Sequence, residues 1–141
     1  MYKEGNTAIM ISITQHDKDK LRKLIDDVPY IDSKLSKYIK DLEHELSKAK
    51  ILRYDQISRD VITMNSKVLL LIDDEEEEIT LVYPEAADVR NNKLSVLSPI
   101  GTAILGYREG NSIEWEIPNG KVHLVVKKVI YQPEACGIID D

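Results

Sequence analysis

The side chains of this chain that could carry chemistry are carboxylates, three histidines and one cysteine. The densest group is Asp73-Asp74-Glu75-Glu76-Glu77-Glu78. Six adjacent acids could hold a metal ion or a basic partner. Their mutual repulsion keeps them in water, so a solvated hairpin loop between two strands is the expectation. Asp26-Asp27 and Asp32 stand on either side of Pro29. There the acids read first as helix termination and capping. His16, His44 and His123 are far apart and fall on unrelated elements. None is spaced to serve a nucleophile, and no Cys/His spacing suits zinc. The glycines are scattered among turns rather than gathered in a phosphate-cradling loop. Cys136 is single, which rules out an internal disulfide and suits a reducing cytoplasm. With no Phe and one Trp, little is left to line an aromatic substrate pocket. No catalytic residue, cofactor or metal site is assigned, and the chain is expected not to be an enzyme.

Surfaces then matter more than reactive groups, and one stretch is built to make a surface. Ser98-Pro99-Ile100-Gly101-Thr102-Ala103-Ile104-Leu105-Gly106 carries both a start and a stop signal for a short helix. Ser98 can cap the first turn. Pro99 suits the first helical position, where its missing N–H costs nothing. Gly106 can take the left-handed conformation that ends a helix. Ile100, Ala103 and Ile104 make an apolar stripe. Strand-like runs, Lys93–Leu97 and Ser112–Ile117, flank it. The leading turn, with Pro99 and Ile100 exposed, is expected at the sheet edge.

The elements that must carry this turn come in two groups. In the first, Ala8–Ile13 is a short apolar run, a strand or an anchor. Thr14-Gln15-His16-Asp17 reads as a capping box with Asp in place of Glu. Leu21, Leu24, Ile25 and Val28 then form one helical stripe, closed by Asp26-Asp27 and Pro29. After Asp32-Ser33, Leu35, Ile39, Leu42, Leu46 and Ala49 follow a heptad seam. Two such helices should fold back as a short antiparallel coiled-coil hairpin. At 1.5 Å per residue the hairpin is on the order of 20 Å long. It projects from the next domain or lies against it. A boundary is placed near residue 53, giving residues 1–53 and 54–141.

In the second group the periodicity changes to β. Val61–Met64, Ser66–Ile72, Ile79–Tyr83, Lys93–Leu97, Ser112–Ile117 and Lys121–Tyr131 are β-branched or alternating runs. Asn119-Gly120 is a strong hairpin turn, and Gly110-Asn111 is another turn signal. The fold class is therefore α+β: a helical hairpin, then an antiparallel sheet of about five or six strands with one short helix packed on it.

The balance of charge narrows the partners. Hydrophobic residues make up 43 % of the 141, enough for a packed core. The net charge of -6 argues against direct nucleic-acid binding, which needs a basic surface. An acidic chain can still reach a nucleic-acid machine through a basic protein partner. No apolar run approaches the ~18 residues of a membrane span, and no secretory signal is present, so a cytoplasmic location is expected.

Several separate motifs, in the same order, resemble the Gre factors. They are Val61-Ile62-Thr63-Met64-Asn65-Ser66-Lys67-Val68, Leu81-Val82-Tyr83-Pro84-Glu85-Ala86-Ala87-Asp88 and Leu94-Ser95-Val96-Leu97-Ser98-Pro99-Ile100-Gly101. The likeness continues through Gly110-Asn111, Pro118-Asn119-Gly120 and Val129-Ile130-Tyr131, covering about residues 60–131. The short hairpin and the closing Tyr131-Gln132-Pro133-Glu134-Ala135 resemble a short-armed subgroup of that family. The resemblance implies an FKBP-like C-terminal fold that docks at the rim of the secondary channel of bacterial RNA polymerase. It implies a contact through a Ser-Pro loop, here Leu97, Ser98, Pro99 and Ile100. Gre factors also carry acids at the tip of a long coiled coil, which help the polymerase hold a metal ion and cleave backtracked RNA. The matching hairpin-tip acids here are Asp26, Asp27 and Asp32. On a short arm they should stop short of the metal, so a regulator that competes with Gre-type factors without stimulating cleavage is expected. A cleavage-stimulating factor is the alternative, and a prolyl isomerase is suggested only by the implied fold.

Overall fold

The computed structural model describes residues 12–27, 33–117 and 120–137, with the backbone alone for 33–38. The Ala8–Ile11 part of the first apolar run, Val28, Pro29, Asp32, the Leu35 side chain, Pro118 and Asn119 lie outside that description.

The N-terminal part is an arm whose two ends are tied together. Strand β1 (Ser12–Ile13) runs into helix α1 (Gln15–Asp27), and helix α2 (Ser33–Lys48) runs into strand β2 (Lys50–Ile51). β1 and β2 pair in parallel, with Ser12 beside Lys50 and Ile13 beside Ile51. The chain therefore leaves and returns at one place. Thr14 caps α1 as expected, its Oγ1 accepting from Asp17 N at 3.1 Å. Leu21 and Ile25 of α1 and Ile39, Leu42 and Leu46 of α2 are buried, the positions that the two stripes predict.

The body is a five-stranded sheet in the order β5-β4-β3-β7-β6. Its strands are β3 (Lys67–Ile72), β4 (Glu75–Val82), β5 (Lys93–Ser95), β6 (Ser112–Ile117) and β7 (Gly120–Tyr131). Helix α3 (Pro99–Ile104) packs between β5, β6 and α2. Ile113 and Trp115 are buried and alternate with exposed Ser112 and Glu114, as the period-2 pattern requires. Ile117 pairs with Gly120 across residues 118–119. Core side chains of the arm and of the body belong to one cluster, so the arm lies against the body.

Four expectations are corrected. The acidic run is not a loop. Only Asp73 and Asp74 form the turn, both with positive φ (48° and 72°), the conformation of a two-residue hairpin. Glu75–Glu78 are in β4, where they stay exposed and gain cations from the adjacent β3 and, across it, from β7: Lys67 Nζ lies 3.4 Å from Glu78 and Lys127 Nζ 2.8 Å from Glu76. Val61–Met64 is not a strand; it makes one isolated bridge, Val61 with Arg108, before a turn in which Asn65 is left-handed (φ 68°). The sheet is not wholly antiparallel either. β4 and β5 run parallel, because residues 83–92 carry the chain back over the edge through two 3-10 turns. β5 ends at Ser95, not Leu97, since Ser95 begins the hydrogen-bonded turn into α3.

Candidate docking site

Helix α3 begins as its sequence dictates. Ser98 is its N-cap and Pro99 its first residue. The Ser98 hydroxyl accepts from Gly101 N at 3.1 Å and donates to Ser95 O at 2.6 Å. It is thus a two-way clamp between the end of β5 and the first turn of α3, and it is consumed internally. Thr102 extends the clamp one turn on, donating from Oγ1 to Val96 O at 2.6 Å. Gly101 makes the close approach possible, because a Cβ there would overlap the Ser95 carbonyl oxygen. The helix ends at Leu105, where the backbone turns extended (φ -55°, ψ 126°), and Gly106, expected to end it, takes φ 84° in the turn that follows, closed by Tyr107 N donating to Ile104 O at 3.0 Å.

Leu97, Ser98, Pro99 and Ile100 are all half-buried, whereas Gly101–Tyr107 are buried. Leu97 and Ile100 pack against the core cluster. Pro99 and Ile100 are therefore not fully exposed. With the hydroxyl of Ser98 engaged, the side-chain character of this turn is apolar: Leu97, Pro99 and Ile100.

The turn is connected to the arm. α3 packs on α2, and Tyr107, just past α3, is 2 % exposed. Burial, with the Glu45 carboxylate of α2 adding to it, pushes the Tyr107 phenol well above its ordinary pKa. On the other side of the arm, Tyr83 Oη donates to Asp17 Oδ1, and Lys20 Nζ sits 4.1 Å from the Tyr83 ring centroid. Asp26 and Asp27 are exposed at the last turn of α1. They do not come near the α3 turn through any bonded contact among the described residues. Ten residues separate Asp17 from Asp27, so the tip stands roughly 15 Å along the helix from the Tyr83 contact.

Sequence reasoning passed over the polar residues that seat the C-terminal tail. Thr63 Oγ1 donates to Glu134 at 2.7 Å, and Gln132 Nε2 donates to Ser58 O (2.8 Å) and Val61 O (2.6 Å). Thr63 and Gln132 are buried, and these partners lie far away in the chain, so no local pattern marks them. Among the described residues no group of three or more His, Cys, Asp or Glu is placed to hold a metal ion. No described helix is long and apolar enough to cross a membrane.

A hydrogen-bonded Ser-Pro helix on the edge of a five-stranded sheet, with a helical arm tied at its base, matches known proteins along both parts. The C-terminal model of transcription elongation factors GreA/GreB matches residues 57–131, and the chain belongs to that family. The model of the Rnk N-terminus matches residues 10–52. Over 99 residues the chain is 46 % identical to the Regulator of nucleoside diphosphate kinase of Escherichia coli (strain K12), covering 68 % of this chain and 73 % of that protein. It is 42 % identical over 94 residues to transcription elongation factor GreA of Chlorobium phaeovibrioides, covering 64 % of this chain and 59 % of the relative. Among solved structures, a GreA/GreB transcription elongation factor from Nitrosomonas europaea superposes with a TM-score of 0.71 at 34 % identity, covering 86 % of this chain and 98 % of that one.

Proposed function

We propose that the protein is a non-enzymatic, cytoplasmic regulator of transcription that binds bacterial RNA polymerase at the rim of the secondary channel. In this reading residues 54–141 form an FKBP-like docking module and residues 1–53 a short coiled-coil arm. Leu97, Pro99 and Ile100 meet the polymerase, and Ser98 holds their turn in shape. The protein competes with Gre-type factors for the channel and does not stimulate RNA cleavage.

The observation that carries the last point is the seating of the arm. Its buried stripe is part of the body's core, which leaves Asp26 and Asp27 on the order of 15 Å from the Tyr83 contact along α1. Carboxylates must approach a metal within coordination distance to act on it. A second reading, cleavage stimulation, is favoured by the exposure of those same two acids at the far end of the arm.

Two measurements on one preparation test these readings. A labelled Gre factor bound to RNA polymerase should be displaced by the protein. The Pro99→Glu variant should displace it at least about tenfold less well, as a central contact residue would, while melting like the parent. A stalled elongation complex incubated with the protein should keep its RNA length. Lack of displacement at high concentration removes the docking reading, and shortened RNA replaces it with the second.

A further inference from the structure

We infer that the cleft between the base of the arm and the body is a binding site for a small amphipathic molecule: a flat aromatic ring carrying an anionic group. The cleft has a volume of about 320 Å³, at the lower end of the ~300–1,000 Å³ typical of small-molecule sites. Its walls come from stretches far apart in the chain. Gln15 opens α1, Ile51 and Tyr54 follow α2, Met64 and Asn65 form the turn before β3, and Glu134 belongs to the tail.

The chemistry of the walls selects the guest. Ile51 and Tyr54 are each 38 % exposed, two of the large apolar side chains that the described surface leaves open, and both border this cleft. Buried Met64 lines it with a soft, polarisable group suited to an aromatic face. Arg53 also lines the cleft. It meets Asp55 through Nε at 3.2 Å, and its terminal amino groups have no protein acceptor among the described residues. They are suited to a carboxylate, sulfonate or phosphate. The two acids that line the cleft accept hydroxyl hydrogen bonds instead: Asp17 from Tyr83 and Glu134 from Thr63. Arm and body both contribute walls, so a guest would brace one against the other. This inference does not depend on the polymerase reading.

The test titrates anilinonaphthalene sulfonate, an aromatic anion, into the full chain, with fluorescence and amide spectra of isotope-labelled protein as readouts. Saturable one-to-one binding is expected, with shifts centred on the amides of Gln15, Arg53, Met64 and Glu134. Arg53→Glu and Tyr54→Ala, both at exposed positions, should each weaken binding at least about tenfold while amide spectra outside the cleft stay unchanged. Non-saturating binding, shifts centred elsewhere, or unchanged affinity in both variants overturns the inference. The shift map of the parent protein decides the matter even without the variants.

Discussion

Tyr83 Oη donates a 3.0 Å hydrogen bond to Asp17 Oδ1, joining the first turn of α1 to the residue that follows β4. Asp17 is only 6 % exposed, so its carboxylate has traded water for this contact. The bond, with Lys20 over the same ring, fixes where the arm begins relative to the body.

Tyr83→Phe keeps the ring for Lys20 and the packing, and removes one donor to Asp17. Loss of a hydrogen bond to a buried charged group costs about 1–3 kcal/mol. Urea unfolding should show that loss, and limited proteolysis should cut the arm faster in the variant than in the parent. An unchanged unfolding midpoint would show that the contact does not hold the arm.

Gly101→Ala tests the close approach of α3 to β5. The new methyl group would overlap the Ser95 carbonyl oxygen and crowd Ser98 Oγ at 2.9 Å. A backbone oxygen cannot step aside cheaply, so a loss of about 1–3 kcal/mol is expected. A parent-like thermal midpoint would contradict the tight seating of the helix.

Asp60→Asn should show a pH-dependent penalty. Ser58 Oγ and the Arg108 guanidinium hold the Asp60 pKa below its ordinary value of 3.8, against an opposing effect of burial. A folded-state value below the unfolded one stabilises the protein above the unfolded pKa, and that stabilisation fades as pH falls through the folded one. The variant should therefore be less stable than the parent at neutral pH, with the gap closing in acid as the pH falls past the ordinary carboxylate value of 3.8 and through the lower folded-state one. A gap that is constant with pH would assign the effect to packing alone.

Asp26→Asn together with Asp27→Asn separates helix termination from function. Carboxylates in the last turn oppose the helix dipole, so each replacement should stabilise by about 0.3–1 kcal/mol at low salt. The stalled-complex assay should read the same for parent and variant. If the parent shortens the RNA and the variant does not, the two acids reach the polymerase's metal after all.

What could be read from the residues was local. The start of α3 acts on its own turn, so Ser98 and Pro99 announce the helix without any tertiary information. β6 and β7 were legible because one face is buried and the other wet, which writes alternation into the sequence. Glu75–Glu78 misled because their run has no alternation. What makes them strand is hairpin pairing with Leu69–Ile72 across a turn of only two residues, and the reach of Lys67 and of Lys127, the last distant in sequence. The parallel pairing of β5 was hidden for a similar reason: it depends on the path of residues 83–92, not on the composition of Lys93–Ser95. The half-burial of Leu97 and Ile100 was not legible either, since an apolar residue at a helix start suits a core edge as well as a docking surface.

The two-residue ladder between β1 and β2 has an architectural consequence. Because departure and return are stapled side by side, extra heptads can enter only at the distal end, between Asp27 and Ser33. Each inserted pair of seven-residue blocks would push the tip outward by roughly 10 Å without touching the Tyr83 contact or α3. Span is thus an adjustable dimension of this architecture, uncoupled from its foundation.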